Sequence, residues 1–352
     1  MNDLQLLREM RSDVGSAPPA TLARGRNKLM SKITSDSHPE ATTTHAPAAV
    51  RPIFRRRVLM ASAAAALLVG GIVVADVVRP SPGATAEAAD ILNNAAAATI
   101  QTSDPVVGPG QYLKIDTTSV YATGVLLGDD PKADRRTVEW LDKYSEHLYI
   151  PADQTAEWIW NREARIPTTF FSEDAKAEAT KYQQSQAGDP IRMGELLRAP
   201  GGNFYGEQRM LFASMPLAEG VKTLPRDPQA LLDTIRQLDN PDRSEAETLE
   251  SIAAALQTGV IPADLRAALY KAAALIPGVT LVDREANLEG KAGTAIGIED
   301  PDRGTRKDII IDPATGLLIG QREVRMTAGE TFPAGTATGW TSVQTSVVNS
   351  AP

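Results

Sequence analysis

The sequence predicts an α+β protein, in which a single transmembrane helix is followed by an extracytoplasmic antiparallel sheet with helical insertions. Three observations lead to this prediction. A long apolar run follows a polar N-terminal segment, segments of alternating β-forming residues lie on both sides of a helical middle, and tight turns join several of these segments. The composition, 42% hydrophobic and 23% charged residues in a chain of 352, is ordinary for a protein that folds mostly in water.

The apolar run from Val58 to Ala75 has no charged residue over eighteen positions. As a helix it would measure about 27 Å, or about 31 Å if it continued to Val78, which matches a bilayer core of roughly 30 Å. We therefore predict a transmembrane helix over residues 55–79, with the lipid bilayer as partner from Val58 to Val78. Arginines crowd its N-terminal edge at Arg51, Arg55, Arg56 and Arg57. This asymmetry predicts a cell-membrane protein with a cytoplasmic N-terminus and an extracytoplasmic C-terminal domain.

Two other interpretations of the run are a buried core helix and a cleaved export signal. The three arginines at residues 55–57 resemble a twin-arginine signal, and Ala84-Thr85-Ala86 offers a small-x-small cleavage site. However, signal peptides begin near residue 1 and have apolar regions of about 7 to 15 residues. The uncleaved anchor is the preferred interpretation, and cleavage after Ala86 stays open.

Residues 1–34 are predicted to form two short amphipathic helices in the cytoplasm, followed by a flexible tether over residues 35–54 rich in Ser, Thr, His, Pro and Ala. Two such helices are too small to bury a core alone, so their apolar stripes require a partner. The predicted partner-binding residues are Leu4, Leu7, Met10, Leu22, Leu29 and Ile33. A partly ordered tail without a specific partner is the alternative.

Residues 80–110 are predicted to be a linker and an Ala-rich helix, and residues 111–352 an α+β domain. Its first strands are predicted over 111–121, 138–150 and 156–166. In the third strand, Trp158 and Trp160 are two positions apart and so share one face of the sheet. Such a pair could line a groove for an apolar or sugar ligand. Filling the core of the sheet is the favoured interpretation.

The second half of this domain alternates between helices and strands. Helices are predicted over residues 172–186 and 191–198, and three capped helices open at Asp227, Ser244 and Pro262. The later strands are predicted over 279–283, 288–299, 307–311, 317–326 and 338–348. This order predicts an antiparallel sheet interrupted by a helical insertion, with helices on one face.

The residue inventory argues against an enzyme. The chain has no cysteine and three histidines, of which His147 alone lies in the predicted outer domain, and no phosphate-binding or nucleophile motif occurs. We therefore predict no catalytic residue, no metal and no cofactor. Up to Val78 there are ten Lys and Arg against six Asp and Glu, and from Arg79 onward twenty-six against thirty-eight. This acidic body argues against nucleic acid as a partner.

Several motifs together resemble a protein family. They are the opening Leu6–Arg11, the Arg-flanked apolar run, residues 224–232, Leu265–Tyr270, Ile276–Val279 and Ile311–Leu318. In these motifs the chain resembles a family of poorly characterised actinobacterial single-pass membrane proteins, which are often encoded near extracytoplasmic-function sigma factors. The resemblance implies a single transmembrane segment and an extracytoplasmic domain, and it supplies no activity. At fold level the outer domain also resembles the open sheet of periplasmic lipoprotein carriers.

Two function classes follow. The first is a membrane-anchored, non-enzymatic regulator or sensor whose cytoplasmic residues contact a protein such as a sigma factor; the chain lacks the His and Cys of a zinc-type anti-sigma module. The alternative is an anchored extracytoplasmic module that binds or carries a lipid or other apolar ligand, and it predicts an accessible apolar cavity near Trp158 or Trp160. An exported hydrolase is a third and weaker hypothesis, because no catalytic constellation is recognisable.

Overall fold

The computed structural model describes the chain over residues 83–102, 104–128, 136–239 and 242–352. These residues form seven α-helices, one short 3-10 helix (Phe204–Gly206) and twelve strands. The helices are α1 (Ala86–Gln101), α2 (Glu173–Ser185), α3 (Pro190–Met193), α4 (Leu217–Thr223), α5 (Pro228–Leu238), α6 (Glu245–Gln257) and α7 (Ala263–Ala273). The strands are β1 (Tyr112–Leu127), β2 (Arg136–Pro151), β3 (Glu157–Arg162), β4 (Ile166–Phe170), β5 (Glu195–Pro200), β6 (Met210–Leu211), β7 (Met215–Pro216), β8 (Thr280–Leu288), β9 (Lys291–Asp300), β10 (Thr305–Ile311), β11 (Leu318–Arg325) and β12 (Ala337–Val348).

Ten of the described strands form one antiparallel sheet in the order β5-β3-β2-β1-β12-β11-β10-β9-β8, with β4 paired to β2. The first half of the sheet is the meander that starts with β1, and the second half is the meander from β8 to β12. The two halves meet where β12 pairs with β1, with Leu113 opposite Val347 and Val120 opposite Trp340. Strands β5 and β8 stand at the two ends of this order and do not pair with each other, so this sheet is open rather than closed into a barrel.

Local capping residues determine where two of the helices between β7 and β8 begin. The side chain of Asp227 accepts a hydrogen bond from the backbone N–H of Ala230 at 2.9 Å, and Pro228 occupies the first turn of α5. Ser244 and Glu247 form a reciprocal capping box at the start of α6, with distances of 3.2 and 2.9 Å. The predicted starts of these two helices are confirmed, because each cap satisfies backbone N–H groups that the first turn leaves without partners.

The helices cover one face of the sheet. Helix α6 packs on β9, β10 and β11, α2 packs on β2, and α7 packs between α1, α5 and α6. The largest apolar core lies in this layer, where Leu265 and Leu269 of α7 are completely buried. The opposite face carries two smaller clusters, one around Ile310 and one around Phe332, and Trp340 packs against both. The two faces differ because apolar residues alternate along each strand and the larger share points toward the helices.

One buried side chain in α7 gives a stability prediction. The hydroxyl of Tyr270 is completely buried and has no hydrogen-bond partner among the described residues. Because a buried hydroxyl without a partner is destabilising, we expect Tyr270→Phe to raise the free energy of unfolding by about 1 kcal/mol, measured by denaturant titration. The matched control is Tyr121→Phe. The hydroxyl of Tyr121 lies 2.8 Å from Thr341 Oγ1, and its removal should lower the free energy of unfolding by about 1 kcal/mol. Equal losses in both variants would contradict this account of Tyr270.

Two segments differ from their sequence-based prediction. The helix expected over residues 191–198 is instead the four-residue α3 followed by the edge strand β5. Gly194 separates them with φ of 86°, and a Cβ there would lie 2.6 Å from the carbonyl oxygen of Arg162, so the backbones approach too closely for any other residue. The strand expected over residues 156–166 is divided into β3 and β4, which pair with different parts of β2. In both cases tertiary pairing overrides the local pattern.

The predicted fold class needs a correction. Within residues 83–352, apart from their short gaps, no helix is both long and apolar enough to cross a membrane. The longest described helix, α1, has 16 residues, and at about 1.5 Å per residue it falls short of a bilayer core of roughly 30 Å. The combination of a transmembrane helix with the sheet is therefore wrong as the fold class, and the findings support a mostly antiparallel sheet with several helices. The predicted span over residues 55–79 lies outside the described residues.

Candidate functional site

A cavity of about 1180 Å³ lies between the helix-covered face of the sheet and the helical layer. Its floor is formed by apolar side chains on four strands: Leu113 of β1, Ile150 of β2, Trp158 of β3 and Val343 of β12. These residues come together because β1 pairs with both β2 and β12, and β3 pairs with β2. The floor therefore spans the junction of the two meanders.

Apolar residues from the helical layer form the opposite wall. Leu217 and Val221 belong to α4, Leu256 lies in the last turn of α6, and Val260 and Ile261 follow in the connection to α7. Exposed side chains also line the cavity, so that it communicates with solvent; they include Gln154, Gln208 and Lys222. The site is thus an accessible space with a predominantly apolar interior.

A glycine fixes the connection above the floor. Gly259 has φ of 71°, and a Cβ built there would lie 2.8 Å from Ile115 Cδ1 and 3.1 Å from Thr345 Cγ2. Only glycine combines this backbone conformation with so close an approach to the sheet. The chain can therefore turn directly after α6 and place Val260 and Ile261 against the cavity.

The two sequence-predicted groove residues have different surroundings. Trp158 is buried, lines the cavity, and donates from Nε1 to the carbonyl oxygen of Gln154 at 2.9 Å. Trp160 is half-buried and packs with its ring 5.2 Å from the ring of Phe204, away from the cavity lining. Both tryptophans pack in the same core layer, yet only Trp158 contacts the cavity. The structure thus places one of the two predicted residues at the site.

Charged residues occupy the margins of the cavity. Four basic residues line it against two acidic ones: Arg209, Lys222, Arg266 and Lys291, and Asp104 and Asp312. Arg266 is held by Asp104 at 2.7 Å, and Lys291 donates to Gln344 at 2.8 Å. Burial lowers the pKa of Arg209, while the nearby charge of Glu146 opposes that effect. This margin is more basic than the chain as a whole, whose formal net charge is −8.

Sequence reasoning missed most of this site. Leu217, Val221 and Val260 belong to segments that carry no local signal of a pocket, and Arg209 lies in a stretch without clear periodicity. These residues reach the cavity only through the packing of the helical middle on the sheet. The predicted contact residues Leu4, Leu7, Met10, Leu22, Leu29 and Ile33 lie outside the described residues.

The single histidine of residues 111–352, His147, lies elsewhere, on the sheet face away from the helices. His147 Nδ1 is 2.5 Å from Asp116 Oδ1, and its Nε2 is 3.2 Å from Glu163 Oε1. Where the structure describes the chain, no group of three or more His, Asp or Glu side chains is arranged to hold a metal ion. Both ring nitrogens of His147 therefore lie next to a carboxylate oxygen, one from Asp116 and one from Glu163.

Comparisons with known proteins add no relative. No protein-family model matches the chain, no curated protein is similar to it, and no solved structure matches its fold. The fold and the site therefore define the class by themselves: an open antiparallel sheet, covered by helices on one face, with an apolar cavity between the two layers. The resemblance to actinobacterial membrane proteins and the contact with a sigma factor stay predictions.

Proposed function

We propose that this protein binds an apolar ligand of lipid size in the cavity between its sheet and its helices. The observation that carries the proposal is the cavity itself, with a volume of about 1180 Å³ and walls of leucine, isoleucine, valine and tryptophan. Small-molecule sites typically have about 300 to 1,000 Å³. A space at or above the upper end of that range is suited to a ligand with long hydrocarbon parts.

The packing of the surrounding protein supports this proposal. Protein interiors are close-packed, and empty apolar space forfeits the contacts that its lining atoms would otherwise make. A hydrocarbon ligand would restore those contacts and remove the apolar walls from water, with a gain of roughly 25 cal/mol for each Å² covered. Leu113, Ile150 and Leu256 line the cavity, and their side chains would contact the ligand.

The test is a cavity-filling substitution. Val221 is a half-buried residue of α4 that lines the cavity, and we expect Val221→Trp to fill part of the ligand space. Binding of a neutral probe, dodecanol, to the full chain should weaken about tenfold, equivalent to roughly 1.4 kcal/mol, as measured by isothermal titration calorimetry.

The matched control is Leu126→Trp, at an exposed position of β1 that does not line the cavity. It adds the same indole group but should leave probe affinity unchanged. Thermal unfolding of both variants checks that each remains folded. Absence of saturable dodecanol binding to the wild type would overturn the proposed function, and equal affinities in the wild type and Val221→Trp would show that the probe binds elsewhere.

A further inference from the structure

Arg209 has an unusual position in the cavity wall. It precedes β6, and its carbonyl oxygen accepts a hydrogen bond from the N–H of Leu217 at 2.7 Å, which fixes its backbone beside the first turn of α4. The residue is half-buried and lines the cavity. Among the described residues, no carboxylate lies within salt-bridge distance of its guanidinium group and no side-chain hydrogen bond is made to it.

Glu146, the carboxylate whose charge acts on Arg209, also has other cationic neighbours. Glu146 of β2 lies in the field of three arginines, Arg162, Arg165 and Arg209, while burial raises the pKa of this carboxyl group. Arg162 Nε approaches Glu146 at 4.0 Å, and its Nη1 pairs with Glu195 at 3.0 Å. Three guanidinium groups therefore act on one carboxylate, and only Arg162 of the three has a further carboxylate partner within salt-bridge distance among the described residues.

The other cations that line the cavity differ in whether they have a partner. Arg266 and Lys291 have partners, whereas Lys222 has no salt bridge within the described part of the chain. Lys222 lies on α4, five residues after the Leu217 N–H that holds Arg209, or about 8 Å along the helix axis. Of the two cations without an ion-pair partner among the described residues, Lys222 thus lies on this short helix and Arg209 beside its first turn.

We propose that the ligand is an anionic amphiphile, with its negatively charged headgroup paired to Arg209 and its hydrocarbon chain against Leu113, Ile150 and Trp158. This inference rests on the proposed function, since it names the chemical class of the ligand for the same cavity. A guanidinium group offers paired N–H donors that match the two oxygens of a carboxylate or a phosphate. Lys222, exposed at the margin, adds a second positive charge for a headgroup that projects toward solvent.

The energetics favour an anion at this position. A half-buried cation loses part of its favourable interaction with water. A counter-charge or a hydrogen-bond acceptor offsets this loss of free energy when it replaces the water. A bound anion would supply that acceptor in a space whose other walls are apolar. A neutral amphiphile would leave the guanidinium group of Arg209 without a counter-charge, and a cationic amphiphile would be repelled by it.

The experiment compares four probes of equal chain length on the full chain by isothermal titration calorimetry: dodecanoate, dodecyl phosphate, dodecanol and dodecyltrimethylammonium, each below its micellar concentration. We expect both anions to bind about tenfold tighter than dodecanol, and the cation to bind weakest. The two anionic arms distinguish a carboxylate from a phosphate headgroup. Anion affinity should fall with increasing salt, whereas dodecanol affinity should not.

Substitution of Arg209 then locates the headgroup. Arg209→Gln should reduce the affinity for the anions to that for dodecanol and leave dodecanol binding unchanged, and Arg209→Lys should restore part of the difference. Arg136→Gln is the matched control, because Arg136 is an exposed residue of β2 that does not line the cavity. If Arg209→Gln does not fold, the salt dependence of the wild type and the order of the four probes decide the question.

The two proposals fail in different ways. Equal binding of dodecanol and the anions to the wild type overturns the anionic ligand and leaves the apolar cavity function standing. Loss of anion affinity in Arg136→Gln but not in Arg209→Gln also overturns the role of Arg209. If none of the probes binds, including dodecanol, the proposed function itself is wrong.

Discussion

Substitution of Trp158 by alanine is expected to cost about 3 to 5 kcal/mol of the free energy of unfolding, and to weaken ligand binding as well. The indole is buried, and its ring packs so closely on Gly202 that a Cβ at that glycine would lie 2.6 Å from Cε3. Alanine would leave a void on the sheet side and widen the cavity, so that a probe in the site loses a main contact surface. Denaturant titration gives the stability, and titration with dodecanol gives the affinity.

Trp160→Ala is the control for this prediction, since it removes the same side chain from the same strand. Trp160 packs against Phe204 and does not line the cavity. We expect it to lower stability, since Trp160 also contacts Glu146 and Arg162, and to leave the affinity for dodecanol, a neutral probe, within about twofold of the wild type. If both variants lose affinity equally, the binding defect reflects general loosening of β3 and not contact with Trp158.

The second large loss of stability is expected for a buried carboxylate in the half of the sheet formed by β8 to β12, on the face away from the helices. Asp308 of β10 has a fully buried side chain that accepts hydrogen bonds from Arg306 at 2.7 and 3.0 Å and from Arg322 at 2.7 Å. Asp308→Ala would leave two partly buried guanidinium groups without their acceptor, and removal of one partner from such a group costs about 3 to 5 kcal/mol. Chemical denaturation of the wild type and the variant measures this loss.

An exposed ion pair supplies the comparison. Asp174 pairs with Arg136 at 2.6 Å, and both side chains are more than half exposed. Asp174→Ala should cost no more than about 1 kcal/mol, because solvent screens the pair and both groups are hydrated when separated. Similar losses for Asp308→Ala and Asp174→Ala would contradict the account of the buried pair.

The sequence allowed some elements to be predicted because their signals are local. The caps at Asp227 and Ser244 are read from a few neighbouring residues, and the strands over 307–311 and 317–326 follow from the alternation of their residues. The short helix α3 and strand β5 were wrongly predicted as one helix, because pairing of β5 with β3 is a long-range contact.

The site was harder to predict, for a physical reason. Trp158 could be selected by its spacing from Trp160, but a strand pattern gives the face of a side chain and not what lies opposite. The opposing wall comes from Val221 and Leu256, which follow Trp158 by about sixty and about one hundred residues. Arg209 carries no local signal at all, since its importance depends on the lack of a partner in the folded chain.

The place of β12 has a consequence for how the protein folds. This strand is the last described element along the chain, yet it lies in the middle of the sheet, where it pairs with β1 across more than two hundred residues of sequence. During synthesis, β1 to β3 are therefore made long before β12, the strand that pairs with β1. The floor of the cavity is incomplete until Val343 of β12 has left the ribosome. Pairings of such high contact order form slowly, so the emerging chain should depend on protection from aggregation until β12 inserts.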